Sequence, residues 1–270
     1  MAIKVGVQPE KDAFALAQPI LSILKDEGGA VEILTVTEPW EALEQKNIQF
    51  FVSKAEPFLL EKTPLPLFVS RRASLREVIV AKDKVVQLEN FAGSWKIGVF
   101  SRLHQALLKR YFGHIEAILI DTQLAEPLAL LDTNTYDGLM LSQATVDRLG
   151  ISAFVTQRCN PHTFPSVLGQ GLTLGFEGER SPEGTQIHSA LHRETEAQAW
   201  LCEKSFARQM PIVAGHNLFG LASVIGDSIS MRGGWISDDG KEMVQTEVAL
   251  NIINPNLCAQ QLVEKLQEQR

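Results

Sequence analysis

The sequence predicts an α/β protein with two interwoven lobes of mostly parallel sheet, followed by a C-terminal α+β domain. Three observations favour this fold class. Short aliphatic and β-branched runs alternate with segments of helical periodicity, which is typical of largely parallel sheets. A repeated β-α unit fills the middle of the chain. After residue 216, alternating runs are separated by Gly and Asp-Gly turns, which indicates antiparallel strands.

The first lobe should open with a strand at 3–7 and an amphipathic helix at 12–28. Pro19 lies inside that helical pattern, so we expect a kink there or a later start of the helix. A short helix is predicted at Glu38–Gln45. Four further strands are expected, at 31–36, 48–54, 64–70 and 77–83.

The second lobe shows the β-α repeat. Its predicted strands and helices alternate at 95–100, 102–112, 116–121, 124–132, 136–142 and 143–150. Pro127 should break the second of these helices, and Gly150 should cap the third. A strand at 173–177 would return the chain to the first sheet. Two such crossings leave a cleft between the lobes, and clefts of this kind hold small ligands.

The last part of the chain reads as an α+β domain. Residues 181–206 have a helical pattern, antiparallel strands are expected over 216–250, and a final helix is predicted at 256–269. The expected domains are residues 1–83 with 167–186 for the first lobe, 84–166 for the second lobe, and 187–270 for the C-terminal domain.

Composition limits the partners. The chain has 270 residues, of which 45% are hydrophobic, so it can bury substantial cores. Its net charge of −7 argues against nucleic acid or an anionic membrane as the main partner, because both need a basic surface. No apolar run approaches the roughly 18 to 20 residues that cross a bilayer. The N-terminus lacks the pattern of a signal peptide, so we expect a cytoplasmic location. We also expect a monomer.

Cysteines and glycines give weaker signals. Three cysteines cannot form a paired framework, and reduced thiols are expected. Cys159 and His162 could be half of a metal site, but no second pair lies nearby, so a surface loop is favoured and no metal is predicted. The Gly169–Gly171 segment lacks the spacing of a phosphate loop. We interpret it as a crossing between lobes, where glycine allows unusual backbone geometry.

The block from Tyr136 to Glu177 resembles the hydroxymethylbilane synthases, also called porphobilinogen deaminases. It reads YDGLMLSQATVDRLG, a loop, and FPSVLGQGLTLGFE, where that family has YDAIILAAAGLKRLG and LPAVGQGALGIE. HRETEAQAWLCEKSF similarly resembles the family's HHETALRVTAERAF. The resemblance covers most of the chain and implies the family's three-domain layout, with two lobes like those of periplasmic binding proteins.

The resemblance also implies a chemistry. The family condenses four porphobilinogen molecules into the linear tetrapyrrole hydroxymethylbilane and releases ammonia at each step. This needs a carboxylate beside the pyrrole nitrogen, arginines for the acidic arms, and a cysteine that holds a dipyrromethane primer. FVSKAEPF aligns with the family's VHSLKDVP, which makes Glu56 the candidate catalytic carboxylate. Its alternative interpretation is a solvated loop carboxylate.

Other residues are weaker candidates for the site. Possible substrate-binding residues are Lys54, Arg71, Arg76, Arg102 and His104. A charge cluster such as that around Arg71 is usually a solvated face, which is the alternative here.

Several positions depart from the family pattern. The family's arginines are replaced by Gln8, Leu103, His104, Asp121 and Pro127. The loop that carries the attachment cysteine is shortened near Arg208, so the covalent attachment site is absent and we expect no cofactor. Cys202 lies close in sequence, but it is expected to be a small buried residue of a helix.

Two functional classes remain open. The first is a divergent porphobilinogen deaminase of tetrapyrrole biosynthesis, in which Glu56 stabilises the cation. The second is a non-catalytic relative that binds a pyrrole, another small acid or a protein partner in the same cleft. A solute-binding module of the periplasmic kind shares the two-lobed form, but the missing signal peptide and the GQG block weigh against it.

Overall fold

The computed structural model describes residues 2–10, 12–26, 30–82, 85–90, 95–120, 127–133, 135–210 and 215–269. Within these ranges the chain forms three sheets, two of five strands and one of three. In each of the first two sheets two strand pairs are parallel and two are antiparallel, and the third sheet is antiparallel. The predicted fold class is confirmed by this arrangement.

The first sheet has the strand order β2-β1-β3-β10-β4. Its strands are β1 (Ile3–Val7), β2 (Val31–Thr35), β3 (Phe50–Lys54), β4 (Phe68–Val69) and β10 (Thr173–Glu177). β1 is parallel to β2 and β3, whereas β10 is antiparallel to β3 and β4. The late strand β10 therefore returns the chain to the first sheet, as expected from the sequence.

Two helices cover this sheet, and its two faces have separate cores. α1 (Ala13–Asp26) begins before Pro19 and contains it, and α2 is Pro39–Glu44. Phe50 and Val52 pack on the side of α1, and Phe51 packs on the other side, against a group of aromatic rings. Because β3 is buried on both faces, its sequence is a continuous apolar run rather than an alternating one.

The second sheet has the order β7-β6-β8-β5-β9. Its strands are β5 (Glu77–Val80), β6 (Lys96–Val99), β7 (Glu116–Leu119), β8 (Gly138–Ser142) and β9 (Val155–Arg158). β5 had been expected in the first lobe, but it pairs with β8 and β9, so the chain crosses between the lobes before Glu77 rather than at residue 83. The sheet to which β5 belongs is set by backbone pairing with β8, about 60 positions later in the sequence. The composition of β5 does not show which sheet it will join.

Three helices flank this sheet: α3 (Arg102–Tyr111), α4 (Pro127–Asp132) and α5 (Gln143–Leu149). The Ser101 side chain caps α3 by accepting from the His104 N–H at 3.1 Å. Pro127 is the first described residue of α4, and residues 124–126 of the predicted helix lie outside the described residues. Gly150 ends α5 in the left-handed region at φ 67°, which confirms the predicted cap.

The C-terminal region packs helices on one face of the third sheet. Its strands are β11 (His216–Ile225), β12 (Ser228–Ser237) and β13 (Met243–Leu250), and its helices are α7 (Glu194–Gln209) and α8 (Pro255–Gln267). The preceding helix, α6 (Pro182–Leu191), packs on α1 and β4 of the first lobe. The helical pattern over 181–206 is interrupted at His192, which has an extended backbone. One sheet face packs on α7 and α8, and Phe219 and Ile236 on the other face join the core of the second lobe.

The GQG segment is the crossing that the sequence predicts. Gly169 and Gly171 have φ of 78° and 77°. A Cβ at Gly171 would lie 2.9 Å from the Ala73 carbonyl oxygen, so only glycine fits both the conformation and the space. No helix among the described residues is long and apolar enough to span a membrane.

Candidate functional site

The charged residues of the cleft follow the carboxyl ends of β1 and β3. These strands are parallel neighbours, so Gln8, Glu10 and Asp12, which follow β1, and the end of β3 with Glu56 lie at the same edge of the first sheet. Arg148, in the last turn of α5, reaches this edge from the second lobe. The site is therefore built from both lobes.

Asp12 is the centre of an ion-pair network in the cleft. Its Oδ1 is 2.9 Å from the Lys54 Nζ, and its Oδ2 accepts from the Arg148 Nε at 2.8 Å. Burial acts to raise the pKa of Asp12, but the charges of Lys54 and Arg148 outweigh burial and hold the pKa below its usual value. The Asp12–Arg148 pair thus ties the two lobes together.

Lys54 has a second carboxylate partner. Its Nζ lies 2.7 Å from the Glu10 Oε2 as well as close to Asp12. Burial acts to lower the pKa of Lys54, but Asp12 and Glu10 raise it above the usual value, so the side chain stays charged. Beside them, the Ser53 Oγ donates to the Gln8 Oε1 at 2.8 Å. Both cations of the cleft are neutralised by carboxylates from the first lobe.

Glu56 adds another carboxyl group to the site. It begins a short 3-10 helix, Glu56–Phe58, directly after β3. The residue is partly exposed, but its Oε2 atom is buried and has no hydrogen-bond partner within the described ranges. Burial raises the pKa of Glu56 to about 7, although its own N–H and the charges of Lys54 and Arg148 act in the opposite direction. Both protonation states are therefore populated near neutral pH, as a proton-transferring group requires.

The GQG crossing lies against this carboxyl-bearing segment. A Cβ at Gly169 would be 3.2 Å from the Glu56 backbone nitrogen. Any side chain at this position would push the Glu56 backbone away from the crossing. The GQG segment, which is part of the block that resembles the family, is thus in direct contact with the site.

The remaining sequence candidates do not join Lys54 and Glu56. Arg71 and Arg76 are exposed, while Arg72 between them turns inward and donates to the Glu203 Oε1 at 2.7 Å. Arg102 is 69% exposed and lies 4.0 Å from Asp238 of the C-terminal domain. Each of these positions is therefore engaged away from the Glu56 carboxyl group or open to solvent.

The positions of the family's paired arginines also face inward. Leu103 is buried in the core of the second lobe. His104 is buried too, with its Nε2 3.5 Å from the Glu77 Oε1. Asp121 and Glu126 lie outside the described residues.

Three residues of the network were not among the sequence candidates: Glu10, Asp12 and Arg148. Arg148 lies within the block that resembles the family, one residue before the Leu-Gly end of α5. A basic residue in the last turn of a helix has an ordinary explanation in the helix dipole, so nothing in the local pattern marked it.

The thiols are packed away from the cleft. Cys202 and Cys258 are fully buried between α7, α8 and the third sheet, and the Cys202 Sγ is 3.6 Å from the Met231 Sδ. Burial raises the pKa of Cys159 to about 12, which keeps it a thiol. Arg208, near the attachment position of the family, donates to the Glu61 carbonyl oxygen at 2.7 Å. As packed, these thiols do not fit covalent attachment of a dipyrromethane.

The fold and the cleft define a class: two-lobed α/β proteins whose charged site lies between the lobes. A family model described as "Porphobilinogen deaminase, dipyromethane cofactor binding domain" matches residues 34–187. The match covers more than half of the sequence, and this chain belongs to the porphobilinogen deaminase family.

Individual relatives agree with the family. A porphobilinogen deaminase of Prochlorococcus marinus subsp. pastoris is 29% identical over 197 residues, which are 71% of this chain and 61% of that protein. One from Alkaliphilus metalliredigens is 23% identical over 98% of this chain and 92% of its own length. The chain thus spans about three-fifths of the first of these relatives.

Solved structures with a similar course of the chain are more distant. A periplasmic substrate-binding protein of an ABC transporter from Coxiella burnetii has a TM-score of 0.45 at 14% identity, covering 72% of this chain and 93% of its own. The protein PG110 from Staphylococcus aureus has the same TM-score and identity, covering 77% and 91%.

The expectation of no cofactor is wrong. The domain that matches is itself the dipyrromethane cofactor-binding domain, and it includes Lys54, Glu56 and Arg148. The expectation rested on the absent attachment cysteine near Arg208, a position outside residues 34–187. A change there leaves the cofactor-binding domain recognisable, because that domain is defined by other residues.

Proposed function

We propose that this chain acts in tetrapyrrole biosynthesis by binding porphobilinogen-type pyrroles in the cleft, with Glu56 as the carboxylate beside the pyrrole nitrogen. The observation that carries the proposal is the buried Oε2 of Glu56, which has no hydrogen-bond partner within the described ranges. An unsatisfied buried acceptor is costly, and a pyrrole N–H would satisfy it.

The same carboxyl group suits the bond-breaking step. When the protonated aminomethyl arm of porphobilinogen leaves as ammonia, the remaining pyrrole becomes a cation. An ionised Glu56 held against the pyrrole nitrogen would stabilise that cation in a site with little water. Because its pKa is about 7, the ionised form increases as the pH rises through neutrality. Deamination should therefore increase over the same pH range.

The two cations of the cleft would hold the acidic arms of the ligand. Lys54 and Arg148 are close to Glu56, since both charges act on its pKa. Their present partners are Glu10 and Asp12. A ligand carboxylate must therefore replace a carboxylate of the protein beside the cation. The cation stays paired during this exchange, which avoids the cost of an unpaired charge, but the net gain in binding free energy is small.

A second candidate function rests on that exchange. Both cations are already neutralised from within the first lobe, so a polyacidic pyrrole chain gains little charge attraction here. A non-catalytic relative that binds a smaller acid or a single pyrrole in the cleft agrees with this observation. In that case Glu56 positions the ligand without a reaction.

Incubation with porphobilinogen separates the two functions. Product is detected as uroporphyrin after acid oxidation, and binding is measured by calorimetry. For deaminase activity we expect product with the unmodified protein and with Glu44→Gln, an exposed matched control, and a loss on the order of 100-fold with Glu56→Gln.

The other outcomes are equally specific. Binding that Glu56→Gln weakens, without product, supports the non-catalytic function. Neither binding nor product, in a protein whose circular dichroism shows a folded chain, contradicts both.

A further inference from the structure

A cavity that none of the cleft residues lines lies between the third sheet and the loop that follows β9. Its volume is about 250 Å³. Its floor is the sheet face that carries Leu221 and Arg232, and its wall is the loop with Pro161, His162 and Pro165. Phe219 closes its inner end and is fully buried. Its lining therefore combines apolar side chains with polar ones, which include Arg232 and Glu247.

Hydrogen bonds hold the wall of this cavity in place. The loop begins with a turn in which the His162 N–H donates to the Asn160 Oδ1 at 2.9 Å. At its other end the Ser166 carbonyl oxygen accepts from the Gly220 N–H of the edge strand β11 at 3.0 Å. The second bond ties the loop to the floor of the cavity, and a wall held in this way lowers the entropic cost of binding.

Among the described residues Arg232 forms no ion pair, although Glu247 also lines the cavity. Its guanidinium lies 3.4 Å from the His162 Nδ1 and donates to the Gln245 Oε1 at 3.2 Å, and no salt bridge to it occurs within the described ranges. Glu247 is directly opposite Arg232 in the β12–β13 register, but the two side chains do not form an ion pair in the structure. The inward-facing arginines elsewhere differ, since Arg72 pairs with Glu203 and Arg148 with Asp12.

We propose that this cavity binds a small organic monocarboxylate, with its carboxylate on Arg232 and its apolar body between Phe219, Leu221 and the loop prolines. The planar guanidinium suits a carboxylate, and the lining offers an apolar surface beside it. The volume is just below that of cavities that hold drug-sized ligands, so the ligand is of the size of benzoate. Glu247 at the rim disfavours a second negative charge on the ligand.

The test is a titration of the isotope-labelled protein with benzoate, followed by NMR to about 10 mM, the concentration range of millimolar affinities. We expect saturable shifts at the amides of Gly220, Leu221 and Arg232. Arg232→Gln should weaken benzoate binding by about tenfold or more, whereas Arg71→Gln, an exposed arginine outside the cavity, should leave it unchanged.

Ligand comparisons in the unmodified protein make the result independent of how well a variant folds. Benzyl alcohol, which has the same ring without the charge, should bind about tenfold or more weakly than benzoate. Phthalate, a dicarboxylate, should also bind more weakly, and Glu247→Gln should reduce that difference. Absence of saturable shifts, equal binding of benzyl alcohol, or equal binding of inorganic phosphate would each overturn the proposal.

Discussion

Two buried glutamates, Glu203 in α7 and Glu56 in the cleft, share a raised pKa but differ in their partners. Burial is the largest cause of the shift in both. Glu203 accepts from Arg72 at 2.7 Å, from the Gly169 N–H at 2.6 Å and from the Ala222 N–H at 3.0 Å. The Glu56 Oε2 accepts from no described residue.

The difference separates a carboxyl group that joins parts of the fold from one that we propose to bind a ligand. The three donors to Glu203 come from a first-lobe segment, the GQG crossing and β11, so one side chain joins three parts of the fold. Its hydrogen-bonding capacity is used within the protein. Glu56 is desolvated without that compensation, and an acceptor left over in a cleft is available to a ligand.

The largest effect is expected from Glu203→Gln. The amide cannot accept at both of its ends, so one of the donors must face an NH₂ group, and Arg72 loses its buried counter-charge. We expect the free energy of unfolding to fall by about 3 to 5 kcal/mol, measured by urea denaturation. Glu196→Gln is the matched control, because Glu196 contacts the same guanidinium at 3.5 Å but is partly exposed. Equal effects of the two changes would break the comparison.

Glu56 should make stability depend on pH in the opposite direction to an ordinary paired carboxylate. Below pH 4.5 the group is protonated in both the folded and the unfolded chain. Between pH 4.5 and about 7 only the unfolded chain releases the proton, so the free energy of unfolding falls as the pH rises. Above pH 7 the loss is complete.

The Glu56→Gln variant lacks this pH-dependent contribution to the free energy of unfolding. Relative to the variant, the unmodified protein should lose on the order of 2 to 3 kcal/mol across that window, measured by denaturation at several pH values. Parallel pH profiles of the two proteins would show that Glu56 titrates normally.

Asp12→Asn tests how far the ion pairs of Lys54 and Arg148 limit ligand binding in the cleft. It removes the charge shared by Lys54 and Arg148, and we expect the free energy of unfolding to fall by about 1 to 2 kcal/mol. Porphobilinogen should bind about tenfold more tightly, because both cations become available to its acidic arms. Glu10→Gln frees only Lys54, from a partner that is 42% exposed, so both effects should be smaller. Weaker binding to Asp12→Asn would contradict the account of the ion pairs.

The smallest effect calibrates the others. Lys46 and Glu179 form an ion pair at 2.7 Å, but their side chains are 66% and 72% exposed. Glu179→Gln should change the free energy of unfolding by less than about 1 kcal/mol in the same urea experiment. A loss as large as that of Glu203→Gln would mean that burial and hydrogen bonding do not decide the cost.

The fold was largely predictable because its signals are local. The return strand at 173–177, the GQG crossing and the Gly150 cap each depend on a few adjacent residues. β5 was placed in the wrong sheet because pairing partners distant in sequence leave no mark on a four-residue run. β9 was not predicted at all, since VTQR lacks a long apolar alternation.

The site was less predictable than the fold. Lys54 and Glu56 could be found because they lie at the end of one strand and just after it, in a segment that resembles the family. Asp12 and Arg148 come from different lobes, and only the folded chain brings their side chains to 2.8 Å. Similarly, the amino-acid sequence does not show that Arg72 turns inward while Arg71 and Arg76 stay exposed.

The most direct measurement is the titration of the Glu56 carboxyl carbon by ¹³C NMR, assigned by its loss in Glu56→Gln. We expect a pKa of about 7, and a change of this resonance when porphobilinogen is added. A pKa at the usual 4.5, with no response of the resonance to porphobilinogen, would contradict the claim that Glu56 is the unsatisfied carboxyl group of a pyrrole-binding cleft.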